Sequence, residues 1–256
     1  MPTNASTNWT CYSVAGHSCE LFTPPTISEP GRIILYLHDL QERSPKDFPA
    51  LHKALASVGL PVLAPRMGRT WCLQQQLARF DTTMSAEDYI VGPILDECHH
   101  IIGETSGGVG LLGYDMGGQA ALRLAYRHPE KFPIAAAIAP AIDFHLGMRH
   151  GHNWVDGELF DTLWEIYDEP EQARQETAIL HVHPLNWPRH QWFVSNRNDE
   201  RWHDGAVRLS SKLIALGIPH TAILDENNQD DIVSTFVDDA IAFIMKSLDS
   251  EARRVP

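Results

Sequence analysis

Val109-Gly-Leu-Leu112, Gly113-Tyr-Asp-Met-Gly-Gly118 and Gln119-Ala-Ala-Leu-Arg-Leu-Ala-Tyr-Arg-His128 follow one another without a break, and this stretch decides the fold. An apolar run of strand length enters a glycine-rich turn, and the turn opens into residues of helical composition. Strand, sharp turn and helix form the context of a nucleophile elbow, G-x-S-x-G. There the tight turn lifts one side chain above the sheet and aims the next residue's N–H at a developing oxyanion. In this chain the lifted residue is an aspartate, Asp115.

Outward from the elbow, apolar and helical segments alternate. Residues 10–23 read as edge strands, closed by a turn at Pro24-Pro25 and Glu29-Pro30-Gly31. Arg32-Ile-Ile-Leu-Tyr-Leu37 and Pro61-Val-Leu-Ala64 are near-continuous apolar runs, the pattern of strands buried on both faces. Ser44-Pro45 opens a helix through Val58, with serine at the cap, proline at the first helical position and Gly59 as the stop. Ser85-Ala-Glu-Asp88 caps a helix that runs to about Ile102. After the elbow strand Val109–Tyr114 and its crossover helix come strands at Ile134–Ala139, Gln191–Ser195 and Thr221–Leu224. A helix at about 204–216, stopped by Gly217, separates the last two strands, and an amphipathic helix over Ile232–Leu248 follows them. This alternation predicts a mostly parallel sheet with helices on both faces, in a single domain spanning 1–256. Residues 141–188 break the rhythm. Polar, tryptophan-rich and helical in character, they read as an insertion over the carboxyl edge of the sheet, where open α/β sheets bind ligands.

Composition narrows the function classes. With 43% hydrophobic residues the 256-residue chain can bury a sizeable core. A formal charge of −13 argues against nucleic acid or an anionic membrane surface as partner, and a solubilising acidic surface is its plainest meaning. No run reaches the roughly 18 apolar residues that span a bilayer. The opening Met1-Pro-Thr-Asn-Ala-Ser-Thr-Asn-Trp-Thr10 has neither a basic region nor an apolar core, so no secretory signal is expected and the expected location is cytoplasmic. The sequons Asn4-Ala-Ser6 and Asn8-Trp-Thr10 carry little weight without one. Cys11, Cys19, Cys72 and Cys98 form no C-x-x-C pair. Cys11 and Cys19 could face each other across a hairpin, but reduced thiols are the expectation.

With the elbow on its third buried strand and His38-Asp39-Leu40 after the first, the chain resembles the α/β-hydrolases. Within them it is most similar to the esterase branch that includes esterase D and S-formylglutathione hydrolase. The likeness runs over roughly residues 30–248 and rests on Gly113–Gly118, Ala120-Ala-Leu122, His128-Pro-Glu-Lys-Phe132, Ala139-Pro140 and Gly205–Leu216-Gly-Ile-Pro-His220. The resemblance implies a serine nucleophile, a histidine base, an acid and two backbone N–H donors as oxyanion hole. Carried over by position, Asp115 replaces the serine and Asp199, in Asn196-Arg-Asn-Asp199, matches the acid. The N–H groups of Met116 and Leu40 match the oxyanion donors. The histidine belongs in the loop after the last strand, but that loop reads Asp225-Glu-Asn-Asn-Gln-Asp-Asp231, and no histidine follows His220. Asp39 stands where the family usually has glycine, which places a second carboxylate near the site.

These departures lead to the expected function: an esterase-like homologue with a degenerate triad, without serine-hydrolase activity, in a binding or interaction role. The alternative is an active hydrolase in which Asp115 attacks an ester, epoxide or halide carbon with a non-standard base, as haloalkane dehalogenases and epoxide hydrolases use aspartate on this fold. That chemistry leaves an ester on the enzyme, which a histidine-activated water must cleave. Repulsion from Asp39 would also raise the pKa of one of the two carboxyl groups. No cofactor and no metal are expected, and a small molecule is the expected kind of ligand. A cation held by Asp39, Asp115 and Asp230 is a weaker reading, since hard oxygen ligands suit calcium or magnesium but the spacing fits no loop motif. His38, Asp39, Tyr114, Asp143 and His145 are the expected pocket residues. His181-Val-His183 would present both imidazoles on one face if it were a strand, although interior or hydrogen-bonding roles are more ordinary. His150, His152, Trp154 and Trp187 could reach the pocket from the insertion, which could also supply a rescuing base, since a triad is defined by geometry and not by order.

Overall fold

The structure, a computed structural model, describes residues 8–103, 108–149, 157–225 and 231–254. Eight strands form one sheet: β1 (Trp9–Val14), β2 (His17–Phe22), β3 (Ile33–Leu37), β4 (Val62–Pro65), β5 (Val109–Tyr114), β6 (Ile134–Ile138), β7 (His190–Val194) and β8 (Thr221–Ile223). Their order across the sheet is β1-β2-β4-β3-β5-β6-β7-β8. The β1–β2 hairpin joins β4 antiparallel, and along that order the pairs from β4–β3 to β7–β8 are all parallel. Ala15 and Gly16, both at positive φ, make the two-residue hairpin turn. Across this hairpin Cys11 faces Glu20 while Cys19 faces Tyr12, so Cys11 and Cys19 do not meet, and all four cysteines are free.

The alternation of side chains along β3 explains the layers. Ile33, Leu35 and Leu37 join one core, whereas Ile34 and Tyr36 join the other. On the first face the sheet is covered by α2 (Ala86–Tyr89), α3 (Leu95–Ile102), α4 (Met116–Arg127) and α8 (His203–Ala215). On the second it is covered by α1 (Pro49–Val58) and α9 (Ile232–Ala252). Among the described residues, no helix is long and apolar enough to cross a membrane.

Local chemistry sets most element ends. Ser44 and Asp47 close a capping box before α1, and Gly59 ends that helix at φ 68°. The Ser85 side chain accepts the Asp88 N–H, as its capping pattern predicts. The expected helix over 85–102 is not uniform. Pro93 has no N–H to give, and residues 90–94 widen into a π turn between α2 and α3. The last helix runs past Leu248 to Ala252, and Glu251 near its end pairs with Arg189 and His190 beside β7.

The expected insertion is helical: a 3-10 turn at Phe144–Met148, another at Gly157–Phe160, then α5 (Asp161–Ile166), α6 (Pro170–Arg174) and α7 (Ala178–His181). Arg123 on α4 is fully buried and ties this segment to the body. It pairs with Glu87 on α2 at 2.6 Å and with Glu176 just before α7.

Candidate functional site

The elbow follows from two glycines. A Cβ on Gly113 would lie 2.0 Å from the Gly117 carbonyl oxygen, and one on Gly117 would lie 2.0 Å from that of Leu37. Only bare backbone lets α4 start this close to β3 and β5. Between these glycines Asp115 takes φ 55° and ψ −114°, a conformation that side-chain-bearing residues rarely adopt. Its N–H donates to the Ile138 carbonyl at 3.0 Å, and its own carbonyl accepts from Gln119 and Ala141, so the strained residue is fixed on both sides.

The Asp115 carboxylate points inward and is only 4% exposed. Its Oδ2 accepts the backbone N–H of Leu40 at 3.3 Å. Burial pushes its pKa up to about 6; Asp39 pushes the same way, while Arg201, the Leu40 N–H and the Trp202 indole oppose it. Repulsion from Asp39 therefore acts in the expected direction, but desolvation outweighs it. Asp39 itself is committed elsewhere. Arg43 grips the fully buried carboxylate: its backbone N–H donates to Oδ1 at 2.8 Å, and its Nε and Nη2 both reach Oδ2 at 2.6 Å.

His38 is held as a neutral structural residue. Its Nε2 accepts the Met67 N–H at 3.2 Å, which leaves Nδ1 to donate to the Asp39 carbonyl at 2.9 Å. Burial lowers its pKa further from protonation. Tyr114 turns toward the second face of the sheet, edge-on to Phe48 and under the Arg43 guanidinium; burial raises its phenol to about 12. Met116 is the first residue of α4 and is buried.

Asp199 follows β7, half-buried, and its Oδ1 accepts the N–H groups of Arg201 and Trp202 ahead of α8. Of the loop after β8, residues 226–230 lie outside the described residues, as do His150, His152 and Trp154. His220 precedes β8 and so sits at the amino edge of the sheet, opposite the elbow; Ser210 and the Ile218 carbonyl hold its ring.

Sequence reasoning missed what covers the elbow. Leu40 and Met116 pack into a third cluster with Trp71, Phe144, Phe160, Leu163 and Trp202. The Trp71 ring stacks on Phe144 at 4.7 Å and on Phe160 at 5.7 Å, and is fully buried. Aromatic side chains from the loop after β4, the insertion and the start of α8 thus fill the space above the turn. The tryptophans of the insertion did not signal it, because the two tryptophans in this cluster, Trp71 and Trp202, lie outside residues 141–188.

Asp143 and His145 do not join the other expected pocket residues. They line a separate cavity of about 350 Å³ with residues of α6, α7 and α8, and Asp143 is paired with Arg208. His181 and His183 do not share a strand face: His181 ends α7 beside Glu176, and His183 lies in an isolated bridge with Asn186. Trp187 is half-buried against the first-face core. For the cation reading, Asp39 is engaged by Arg43 and Asp230 lies outside the described residues. Among the described residues no three His, Cys, Asp or Glu side chains are grouped to hold a metal ion.

Comparison with known proteins agrees with this architecture. An S-formylglutathione hydrolase from Agrobacterium tumefaciens superposes with TM-score 0.69 at 16% identity, over 97% of this chain and 99% of its own. The fluorophosphonate-binding serine hydrolase F of Staphylococcus aureus gives 0.69 at 13% identity, over 94% and 97%. An S-formylglutathione hydrolase from the same organism gives 0.64 at 15%, over 94% and 97%. At such identities the likeness speaks for the fold, which is that of the α/β-hydrolases. No protein with a curated description matches the sequence. The sequence profile of the family described as "Putative esterase" matches residues 57–215, from the end of α1 through α8 and more than half of the chain, and by that match the chain belongs to this esterase family of α/β-hydrolases.

Proposed function

We propose that this chain is an esterase-family α/β-hydrolase whose elbow no longer performs serine-hydrolase chemistry and that acts by binding. The observation that carries the reading is the Leu40 N–H donating to Asp115 Oδ2. In an esterase of this design that N–H stabilises the oxyanion of the substrate. Here the protein's own carboxylate takes it, under a roof of tryptophan and phenylalanine rings.

Two further features support this reading. A serine triad needs a base within hydrogen-bond reach of the nucleophile, and loss of that base costs on the order of 10⁶ in kcat in the best-studied protease. No histidine follows β8 in this sequence, and the buried His38 has its Nε2 lone pair committed to Met67. A carboxylate nucleophile would meet the same obstacle one step later. Attack on an epoxide or haloalkane carbon forms a covalent ester at Asp115, and water must then be activated to release it.

The test pairs turnover with trapping. Wild type and Asp115→Asn are assayed on a short-chain p-nitrophenyl ester, and intact mass is recorded after exposure to a fluorophosphonate, an epoxide and a haloalkane. The expected result is no turnover above the buffer blank and no adduct on Asp115. Asp115→Ser alone is expected to stay silent as well, because it restores the hydroxyl without a base. Turnover lost in Asp115→Asn, or an alkyl ester on Asp115, would establish aspartate-nucleophile chemistry and overturn the reading.

A further inference from the structure

The sheet ends at β1 on one side and at β8 on the other. We propose that β1 is the interface of a homodimer, in which the β1 strands of two copies pair antiparallel about a two-fold axis at Cys11 and join two sheets into one. The proposal does not rest on the state of the elbow, because β2, β4 and β3 separate β1 from β5.

The register shows which backbone groups face outward. Val14 and His17 flank the two-residue turn, and such flanking residues form a hydrogen-bonded pair. Bonded pairs alternate along an antiparallel ladder, so Tyr12 with Cys19 and Thr10 with Leu21 follow. The Thr23 N–H donating to the Asn8 carbonyl at 2.9 Å continues the same series. The even-numbered residues therefore bond to β2, and Trp9, Cys11 and Ser13 direct their N–H and C=O groups away from it. No strand among the described residues lies on that side.

This edge lacks the usual protection. Sheet edges are blunted by brevity, charge, proline or a bulge. The opposite edge strand, β8, is three residues long. β1 is six residues long, has no charged residue and no proline, and pairs with β2 without a bulge from Trp9 to Val14. Glu20, directly across from Cys11, is buried and already met by Lys46 and Arg66. In a chain of formal charge −13, an uncharged edge lets a second copy approach without the repulsion that acidic surfaces impose.

Self-complementarity selects a second copy as the occupant. An axis at Cys11 sets Cys11 opposite itself and Trp9 opposite Ser13 of the second copy, so all three outward residues find outward partners. Each such pair exchanges two backbone hydrogen bonds, about six in all. Between them Thr10 falls opposite Tyr12 of the second copy, a β-branched residue against an aromatic one. Moving the axis to the next outward register leaves Trp9 or Ser13 facing residues outside the strand.

Sedimentation velocity on a dilution series of the full-length wild type tests the state, and a reversible monomer–dimer equilibrium is expected. Cys11→Lys sets two like charges on the axis, and Ser13→Lys sets one against each Trp9. Both side chains are exposed, so the fold, checked by circular dichroism, should be unchanged while dimerisation weakens about tenfold or more. Cys11 is the exposed thiol of the four, and paired residues on the axis lie about 5.5 Å apart between Cα atoms, within disulfide reach. The thiol oxidant diamide is expected to link wild type into a dimer that dithiothreitol reverses. Ser13→Cys in a Cys11→Ser background should still dimerise but not link, because its two thiols would be four residues out of register, about 13 Å apart. A monomer at every concentration, or a dimer indifferent to both lysines, would overturn the proposal. Ready linking through residue 13 would overturn the axis at Cys11.

Discussion

Asp115 carries two costs at one position. Its backbone is held at positive φ, and its carboxyl group is buried where ionisation is disfavoured. The second cost is a statement about stability. The pKa rises from about 3.8 to about 6 on folding, so the folded chain holds this proton more tightly than the unfolded one. The stabilisation from keeping the group neutral is complete below pH 4, declines as pH rises through 6, and is absent above it; the full difference is about 3 kcal/mol. Asparagine keeps the shape and an acceptor for the Leu40 N–H without a titrating proton. Asp115→Asn is therefore expected to be more stable than wild type by about 2–3 kcal/mol at pH 8, with the advantage shrinking between pH 6 and pH 4. Urea denaturation across that range measures it, and a constant difference would mean that Asp115 is not neutralised by burial.

At the level of elements, one buried guanidinium sits at the junction between the body and the insertion. Arg123 leaves α4, is fully buried, and reaches Glu87, Glu176 and the Cys72 carbonyl; Arg127 and His128 add further partners for Glu87. Burial alone would push the Glu87 carboxyl up, yet these partners hold it down at about 2. Arg123→Met removes the charge that both glutamates face and keeps most of the volume. Breaking a buried pair from one side costs about 3–5 kcal/mol, and the lower end is expected here because Arg127 and His128 still attend Glu87. The linkage sign is opposite to that of Asp115. The Glu87 contribution is present above the unfolded value near 4.5 and is lost as pH falls toward 2, so Glu87→Gln should cost less at pH 3 than at pH 7. Thermal unfolding at the two pH values separates this from a simple packing loss.

The whole molecule shows which parts a sequence can declare. Strands buried on both faces, the caps at Ser44 and Ser85, the stop at Gly59 and the elbow itself depend on neighbours a few residues apart, and each was legible. Even Arg43, which occupies Asp39, lies only four residues away from it. What could not be read was the roof over the elbow, because it is assembled from Trp71, Phe144, Phe160 and Trp202, segments joined only by the fold. Nor does a pattern of residues reveal that Asp143 and His145 open into a different cavity from Asp115. The roof links these scales in one prediction. Trp71 is packed between Phe144 and Phe160 and belongs to the same cluster as Leu40 and Met116. Trp71→Ala should cost about 3–5 kcal/mol through the cavity it leaves. That cavity opens in the cluster that holds Met116, next to Asp115 in sequence, and Leu40 and Trp202, which act on its carboxyl group, whose raised pKa comes mainly from burial. If the roof is what keeps Asp115 dry, water entering the space would bring its pKa back toward 4. The pH-dependent part of the Asp115→Asn advantage should then largely vanish in a Trp71→Ala background, although both proteins are less stable. A double-mutant cycle at pH 5 and pH 8 measures that coupling. If the pH dependence instead persists in full after Trp71 is removed, β5, α4 and the His38–Leu40 loop keep Asp115 dry by themselves, and the aromatic cluster merely rests on a site already closed.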